Sequence, residues 1–478
     1  MSRIARRRTG ALFLTVACAW LAGSRPIPAR AEQRSEAASI QIATRVERFV
    51  LGNGLEVLLE PDRSSPRVAV CVTYMVGLRD QPAGYRGLAH LTEHLMYQGS
   101  RNVGEDDLFR HLERAGATER NATTDADHTA YWAEVPSNHL ATLLWLESDR
   151  MASMLEHLNE TTFDQQREVV LSEFREAARG SPLGRVAEVM LPHVFPLGHP
   201  YHSFSDRPAD ITAIRMADAQ WFFQRWYGPH NARLAIVGDF DVAEARALVE
   251  RYYGTIRGTY QDPPERRPGS AVRLDGERRI RFAAPVILPE IRIMWPTPAF
   301  QRPGDAELDL AARVLAIGPL SRLHRRLVTG SGFATSVAAR QSSYELASFF
   351  IVRVVLARGQ RPEDVLPIID EEIGRMATEP IPEDMAAWAR YHFRSQLLLS
   401  HESLANRAYV LAHLRTPLAE DRIARIEDDL TRYDRVTVEG VRDAVRQHLP
   451  PDGRVVLFVD PAPGAPHEGV VMASEVLR

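Results

Sequence analysis

The sequence contains no lysine, so all 58 of its basic residues are arginine. Schiff-base chemistry, pyridoxal enzymes and phosphate-loop nucleotide sites each need a lysine amine, and these classes are excluded. A biased genomic base composition accounts for the absence without any appeal to function. Cysteine is nearly as scarce, with Cys18 and Cys71 the only two. Beyond the extreme N-terminus no apolar run approaches the roughly 20 residues of a membrane-spanning helix, so no integral span is expected. At 478 residues, 45% hydrophobic and 25% charged, the chain has the composition of a soluble globular protein large enough for two full cores.

The N-terminus is of a different kind. Arg3, Arg6, Arg7 and Arg8 precede a short apolar run over residues 11–23, and Ala29-Arg30-Ala31 offers a small-x-small cleavage site. That layout is a secretory signal peptide over residues 1–31, and it implies a periplasmic or secreted protein. The match to a twin-arginine signal around Arg7-Arg8 is poor, and Thr15 disfavours lipidation at Cys18. Cleavage removes six arginines and no acid, moving the formal net charge from −4 to −10. So acidic a chain has no electrostatic footprint for nucleic acid, and arginine pairs such as Arg266-Arg267 and Arg325-Arg326 read as solvated faces. Only Cys71 then remains, so no intramolecular disulfide can form.

Two stretches of similar size, 45–257 and 276–462, flank a polar linker at 258–275 whose start reads GTYQDPPERRPGS. Strand patterns fall at 52–59, 67–76, 122–135 and 231–237, and again at 279–284, 291–295 and 349–355. Helical periodicity covers 87–97, 105–115, 139–154, 161–179 and 242–253. Strands grouped with helices, rather than strictly alternating, predict an α+β fold. The similar size of the halves, without a clean sequence repeat, points to duplication, and the expected architecture is two homologous domains, each a mixed or antiparallel sheet packed against helices.

One five-residue segment carries chemistry. His90 and His94 are four apart, so on a helix they project from one face, and Glu93, three after His90, shares it. Two neutral imidazoles at that spacing suit zinc, and a free carboxylate beside them can take a proton from water polarised by the metal. His199-Pro200-Tyr201-His202 is a weaker pair, because Pro200 argues for a loop with a structural role. His111, His128, His139 and His157 read as surface or hydrogen-bonded histidines, Met151 and Met154 as helix core, and Asp127 as a residue that fixes local backbone geometry.

The surroundings of the motif resemble the pitrilysin/insulinase family of inverted zinc peptidases. GLAHLTEHLMYQG at 87–99 is similar to that family's metal helix, with Thr92 where an apolar residue is usual. Residues 121–131 (NATTDADHTAY) resemble its Asn-Ala-x-Thr-x-x-Asp-x-Thr-x-Tyr strand, and 51–55, 226–232 and 237–240 fit its domain edges. The resemblance implies one Zn2+ per chain, held by His90, His94 and Glu173, with Glu93 as general base. Glu173 lies 79 residues after His94 on the predicted helix. It further implies that Asn121 and Ala122 hold the backbone of a peptide substrate bound as an edge strand. Where the family usually carries a glutamate seven residues before the ligand, this chain has Gln166, which brings hydrogen bonds but no charge.

The family pattern also uses an Arg and a Tyr of the second domain to polarise the scissile carbonyl. Here those positions hold Val328 and Thr335, which cannot do so. The resemblance therefore implies that the chain is half of a clam-shell chamber, completed by a homologous partner subunit in a heterodimer, or less effectively by a second copy in a homodimer. A non-catalytic assembly or binding subunit of the same fold is the alternative.

Overall fold

Residues 67–74 are almost uninterrupted in apolar side chains, and such a strand is stable only where both its faces are covered. The computed structural model reveals where the cover comes from. It describes residues 46–478 apart from 106, 181–182, 184–185, 204, 259–268, 414–425, 468 and 477–478. The expected signal peptide (1–31) and most of the expected linker (258–275) lie outside the described residues.

With strands numbered along the chain, the first sheet runs in the order β1 (Glu47–Val50), β2 (Glu56–Pro61), β6 (Ala232–Gly238), β3 (Arg67–Tyr74), β5 (Thr129–Pro136), β4 (Glu119–Thr124). The second runs β12 (Val470–Val476), β7 (Arg278–Ala284), β11 (Val455–Pro461), β8 (Glu290–Thr297), β10 (Ser348–Leu356), β9 (Ala334–Ser342). In each sheet one pair is parallel, β2 with β6 and β7 with β11, and the other pairs are antiparallel. Both sheets are thus mixed, and they share one topology. The difference is the strand beside β2 or β7, which precedes its neighbour in the first sheet and comes from the C-terminal end in the second.

The helices of the first half are α1 (Leu88–Leu95), α2 (Asp107–Arg114), α3 (Leu140–His157), α4 (Glu160–Gly180), α5 (Val186–Val194), α6 (Pro208–Ala213), α7 (Met216–Trp226) and α8 (Val242–Tyr253). Those of the second are α9 (Asp305–Ala316), α10 (Pro362–Thr378), α11 (Glu383–Ser400), α12 (Leu404–His413), α13 (Ile426–Asp434) and α14 (Val438–His448). In the first half, Leu91, Leu144, Phe163, Phe222 and Val249 bury one face of the sheet in a single core.

The other face is covered from a distance. Leu404, Ala405, Ala408, Leu411 and Ala412 of α12 pack on Leu58, Ala69, Cys71, Ala235 and Val237. Their three- and four-residue spacing lines one face of α12, and the alanines let it lie close to the strands. Reciprocally, Val186, Met190, Leu191 and Val194 of α5 pack on Ile280, Phe282, Met294, Val455 and Leu457 of the second sheet. Each half lends a helix to the other's sheet. Arg407 of α12 adds ion pairs to Glu60 and to Asp62, the latter at 2.6 Å. Burial of Cys71 pushes its thiol up to about 12, so it is an inert packing residue.

Two sequence expectations are corrected. Residues 122–135 were expected as one strand but form a hairpin, β4 and β5, about the turn Asp125-Ala126-Asp127-His128. The bond from Asp125 N to His128 O (2.9 Å) closes it. Strand-prone Thr123, Thr124, Thr129, Tyr131 and Trp132 on either side mask the turn, although Asp-x-Asp is a turn signal. Asp127 also does more than shape that turn. Its carboxylate accepts from Arg79 (2.6 Å), Tyr201 (2.5 Å) and the Glu345 backbone N–H (2.9 Å), joining the β4–β5 turn to the β9–β10 turn of the second half. Burial raises its pKa to about 6 against the opposing charge of Arg79.

Candidate metal centre

Helix α1 begins at a glycine for a steric reason. Gly87 has φ +106°, and a Cβ there would lie 2.2 Å from Ile211 Cγ1 of α6. The free N–H groups of the first turn find a side-chain acceptor in Gln81 Oε1, which takes Gly87 N at 2.8 Å and Ala89 N at 3.0 Å. Leu88, Leu91 and Leu95 point into the core, which turns His90, Glu93 and His94 the other way. Thr92 is fully buried where an apolar residue was expected; its hydroxyl donates to Leu88 O at 2.7 Å, so no polar atom is stranded.

Helix α4 is held by buried Phe163, Val170 and Leu171 and carries Glu173 toward α1. Glu173 Oε2 lies 3.6 Å from His90 Nε2 and 3.4 Å from His94 Nε2. One ligand atom from each of the three residues lies within 4.8 Å of the others. Zinc ligands at about 2.0–2.2 Å in a tetrahedral shell stand roughly 3.3–3.5 Å apart, so the donor set fits this metal in kind, and the two histidine–glutamate distances fit it in spacing.

Each neighbouring group has a partner. His90 Nδ1 is 2.7 Å from Asp206 Oδ2. The Gln166 side chain acts on His94 in the direction that raises its pKa. Glu93 Oε2 accepts from Thr124 Oγ1 at 2.5 Å. Burial would lower the pKa of His90, but the Asp206 hydrogen bond and the charges of Asp206, Glu93 and Glu173 raise it. That of His94 is lowered by burial and by His90. Burial raises Glu93 despite the Thr124 bond.

Asn121 and Ala122 lie on β4, which pairs only with β5 among the described strands, so its outer edge is free. The exposed Asn121 side chain accepts from Ala122 N at 2.9 Å. Neither substituted position of the second half offers a donor to a carbonyl: Val328 packs against the second core, and Thr335 donates to Val355 O at 3.3 Å. His199 and His202 take structural roles, His199 Nδ1 accepting from Tyr201 N and His202 Nδ1 bonding Phe195 O. Sequence reasoning missed Asp206, which no motif marks, and Thr124, which is the first of the two threonines in the strand pattern at 121–131.

Comparison with known proteins agrees with the fold. Residues 56–191 match the family described as insulinase (peptidase family M16), and residues 213–386 match the peptidase M16 inactive domain. The chain belongs to this family. It is 27% identical over 311 residues to the zinc protease PqqE of Helicobacter pylori, across 64% of this chain and 68% of that protein. An uncharacterised zinc protease of Mycobacterium leprae is 26% identical over 430 residues, 88% of this chain and 94% of that one. A crystal structure of a protease from Helicobacter pylori superposes with TM-score 0.80 at 22% identity, covering 87% of this chain and all of that one. The periplasmic protease PqqL from Escherichia coli superposes with TM-score 0.69 at 18% identity over 87% of this chain, which spans 48% of PqqL. At these identities the superpositions speak to fold alone. Among the described residues no helix is long and apolar enough to cross a membrane.

Proposed function

We propose that this chain is the zinc-bearing subunit of an exported metalloendopeptidase that cuts peptides or unfolded segments. The convergence of His90 Nε2, His94 Nε2 and Glu173 Oε2, with the Glu93 carboxylate one helical turn from His90, carries the reading. Zinc held by these three residues supplies a Lewis acid that polarises water and the scissile carbonyl. Thr124 holds one oxygen of Glu93, leaving the other to take a proton from the attacking water and return it to the departing amine. The free edge of β4 at Asn121 and Ala122 receives the substrate as an added strand, so main-chain hydrogen bonds supply much of the affinity.

Val328 and Thr335 cannot polarise a carbonyl, and a homologous partner chain bearing Arg and Tyr there would complete the site; a homodimer would work more weakly. The match to an inactive-domain description at 213–386 fits this division of labour. It also keeps open a non-catalytic subunit, against which all three candidate ligands and Glu93 stand intact. The N-terminal signal pattern and the likeness in fold to a periplasmic protease support an extracytoplasmic location.

The test is Glu93→Gln, assayed with a peptide library, for the chain alone and with a homologous partner. Cleavage should fall by roughly 10²–10⁴-fold while zinc stoichiometry stays near one per chain. A wild-type chain that binds no zinc overturns the reading. High activity of the chain alone overturns the need for a partner.

A further inference from the structure

A histidine that holds a metal through Nε2 must have its Nδ1–H fixed by a second group, which sets the ring's tautomer, orientation and basicity. The two histidines of α1 meet this need differently. His94 has no carboxylate at the position where the family pattern carries a glutamate, since Gln166 with its neutral amide stands there. His90 has a carboxylate, Asp206 Oδ2, at 2.7 Å.

Asp206 is held in place rather than met by chance. Two residues on, α6 begins, and it docks on both helices that carry the candidate ligands. Asp210 accepts the Arg86 backbone N–H at 3.3 Å, just ahead of α1. Ile211 fills the space that a side chain at position 87 would occupy. At the far end of α6, Ile214 O accepts Arg167 Nη1 of α4 at 3.0 Å. The Asp206 side chain is only 18% exposed, and among the described residues its Oδ1 is buried without a hydrogen-bond partner. A half-satisfied buried carboxylate is costly unless a nearby positive charge compensates it. A dication across the imidazole from Asp206 is such a charge.

We infer that Asp206 is the positioning residue of the metal site, orienting His90 and supplying the negative charge that Gln166 does not. This rests on reading His90, His94 and Glu173 as the zinc ligands. The full chain is titrated with zinc against a competing chelator, with folding followed by circular dichroism. Asp206→Ala should weaken zinc binding by roughly 10–100-fold. Asp206→Glu should restore most of the affinity, and Gln166→Glu in the Asp206→Ala background part of it. Asp206→Asn, nearly isosteric, reads the charge by itself even if the alanine variant fails to fold, and should weaken binding several-fold. Wild-type affinity in Asp206→Asn, or a loss that neither glutamate recovers, overturns the assignment alone. A wild-type chain without zinc overturns the metal reading and this assignment with it.

Discussion

Helices α1 and α9 occupy equivalent places in two sheets of the same strand order, and each starts at a left-handed glycine, Gly87 with φ +106° and Gly304 with φ +99°. Counted from those glycines, His90, Glu93 and His94 correspond to Glu307, Leu310 and Ala311. Glu307 is spent on the helix start, accepting the Gly304 backbone N–H at 3.0 Å, while Leu310 and Ala311 are buried. One framework therefore turns His90, Glu93 and His94 away from the core in the first half and buries apolar Leu310 and Ala311 at two of the corresponding positions in the second. The chemistry lies in a few side chains placed on the fold, not in the fold.

The comparison can be broken most severely by making α1 resemble α9. His94→Ala, the residue at the corresponding position of α9, should abolish zinc binding, read as metal content per chain, with far-UV circular dichroism unchanged because His94 does not belong to the core. Retained stoichiometric zinc in that variant would show that the metal does not depend on this pair. Next in size is the exchange of helices. Ala408→Leu enlarges a buried side chain in the cluster that α12 forms with the first sheet and should cost about 1–3 kcal/mol by overpacking, measured by denaturant unfolding. An unchanged midpoint would mean that α12 does not hold the first sheet.

The same junction should respond to acid. His128 and His413 stack with ring centroids 4.8 Å apart between the first sheet and α12. Burial lowers their pKa values from 6.5 to about 4 and about 3. Below pH 6.5 the unfolded chain takes up protons that the folded one refuses, so stability is full above that pH and falls as pH drops toward 4 and then 3. Melting temperature against pH should show this slope, and His413→Phe should flatten it. Asp62 acts lower still: its pKa of about 2, held down by Arg407 and Ser64 against the effect of burial, means its share is lost only between about pH 4 and pH 2. The smallest effect is expected at Thr92→Val, under about 1 kcal/mol by thermal melting, because the lost hydroxyl bonded only to a carbonyl already within the helix.

Much of the candidate site was legible because it is written locally. The spacing of His90, Glu93 and His94 dictates a shared helical face, and the periodicity of residues 161–179 places Glu173 on a helix that has to turn Val170 and Leu171 inward. Other features were not legible. The turn inside residues 122–135 was hidden because Thr123, Thr124 and Thr129 suit a strand on either side of it. The likeness of the two halves was expected from their similar size, but no sequence repeat marks it, because buried positions accept any apolar side chain of suitable volume and topology outlasts sequence identity.

By itself the sequence determined which residues of α1 share one face and that Val328 and Thr335 offer no group to polarise a carbonyl. Only the tertiary structure decided that Glu173 meets the histidines, that Asp206 stands behind His90, that Asp127 joins the two halves, and that α5 and α12 exchange sheets. The physical reason is range. Helical and strand periods act over a few residues, whereas a carboxylate 116 positions away reaches its imidazole only after the chain has folded around both.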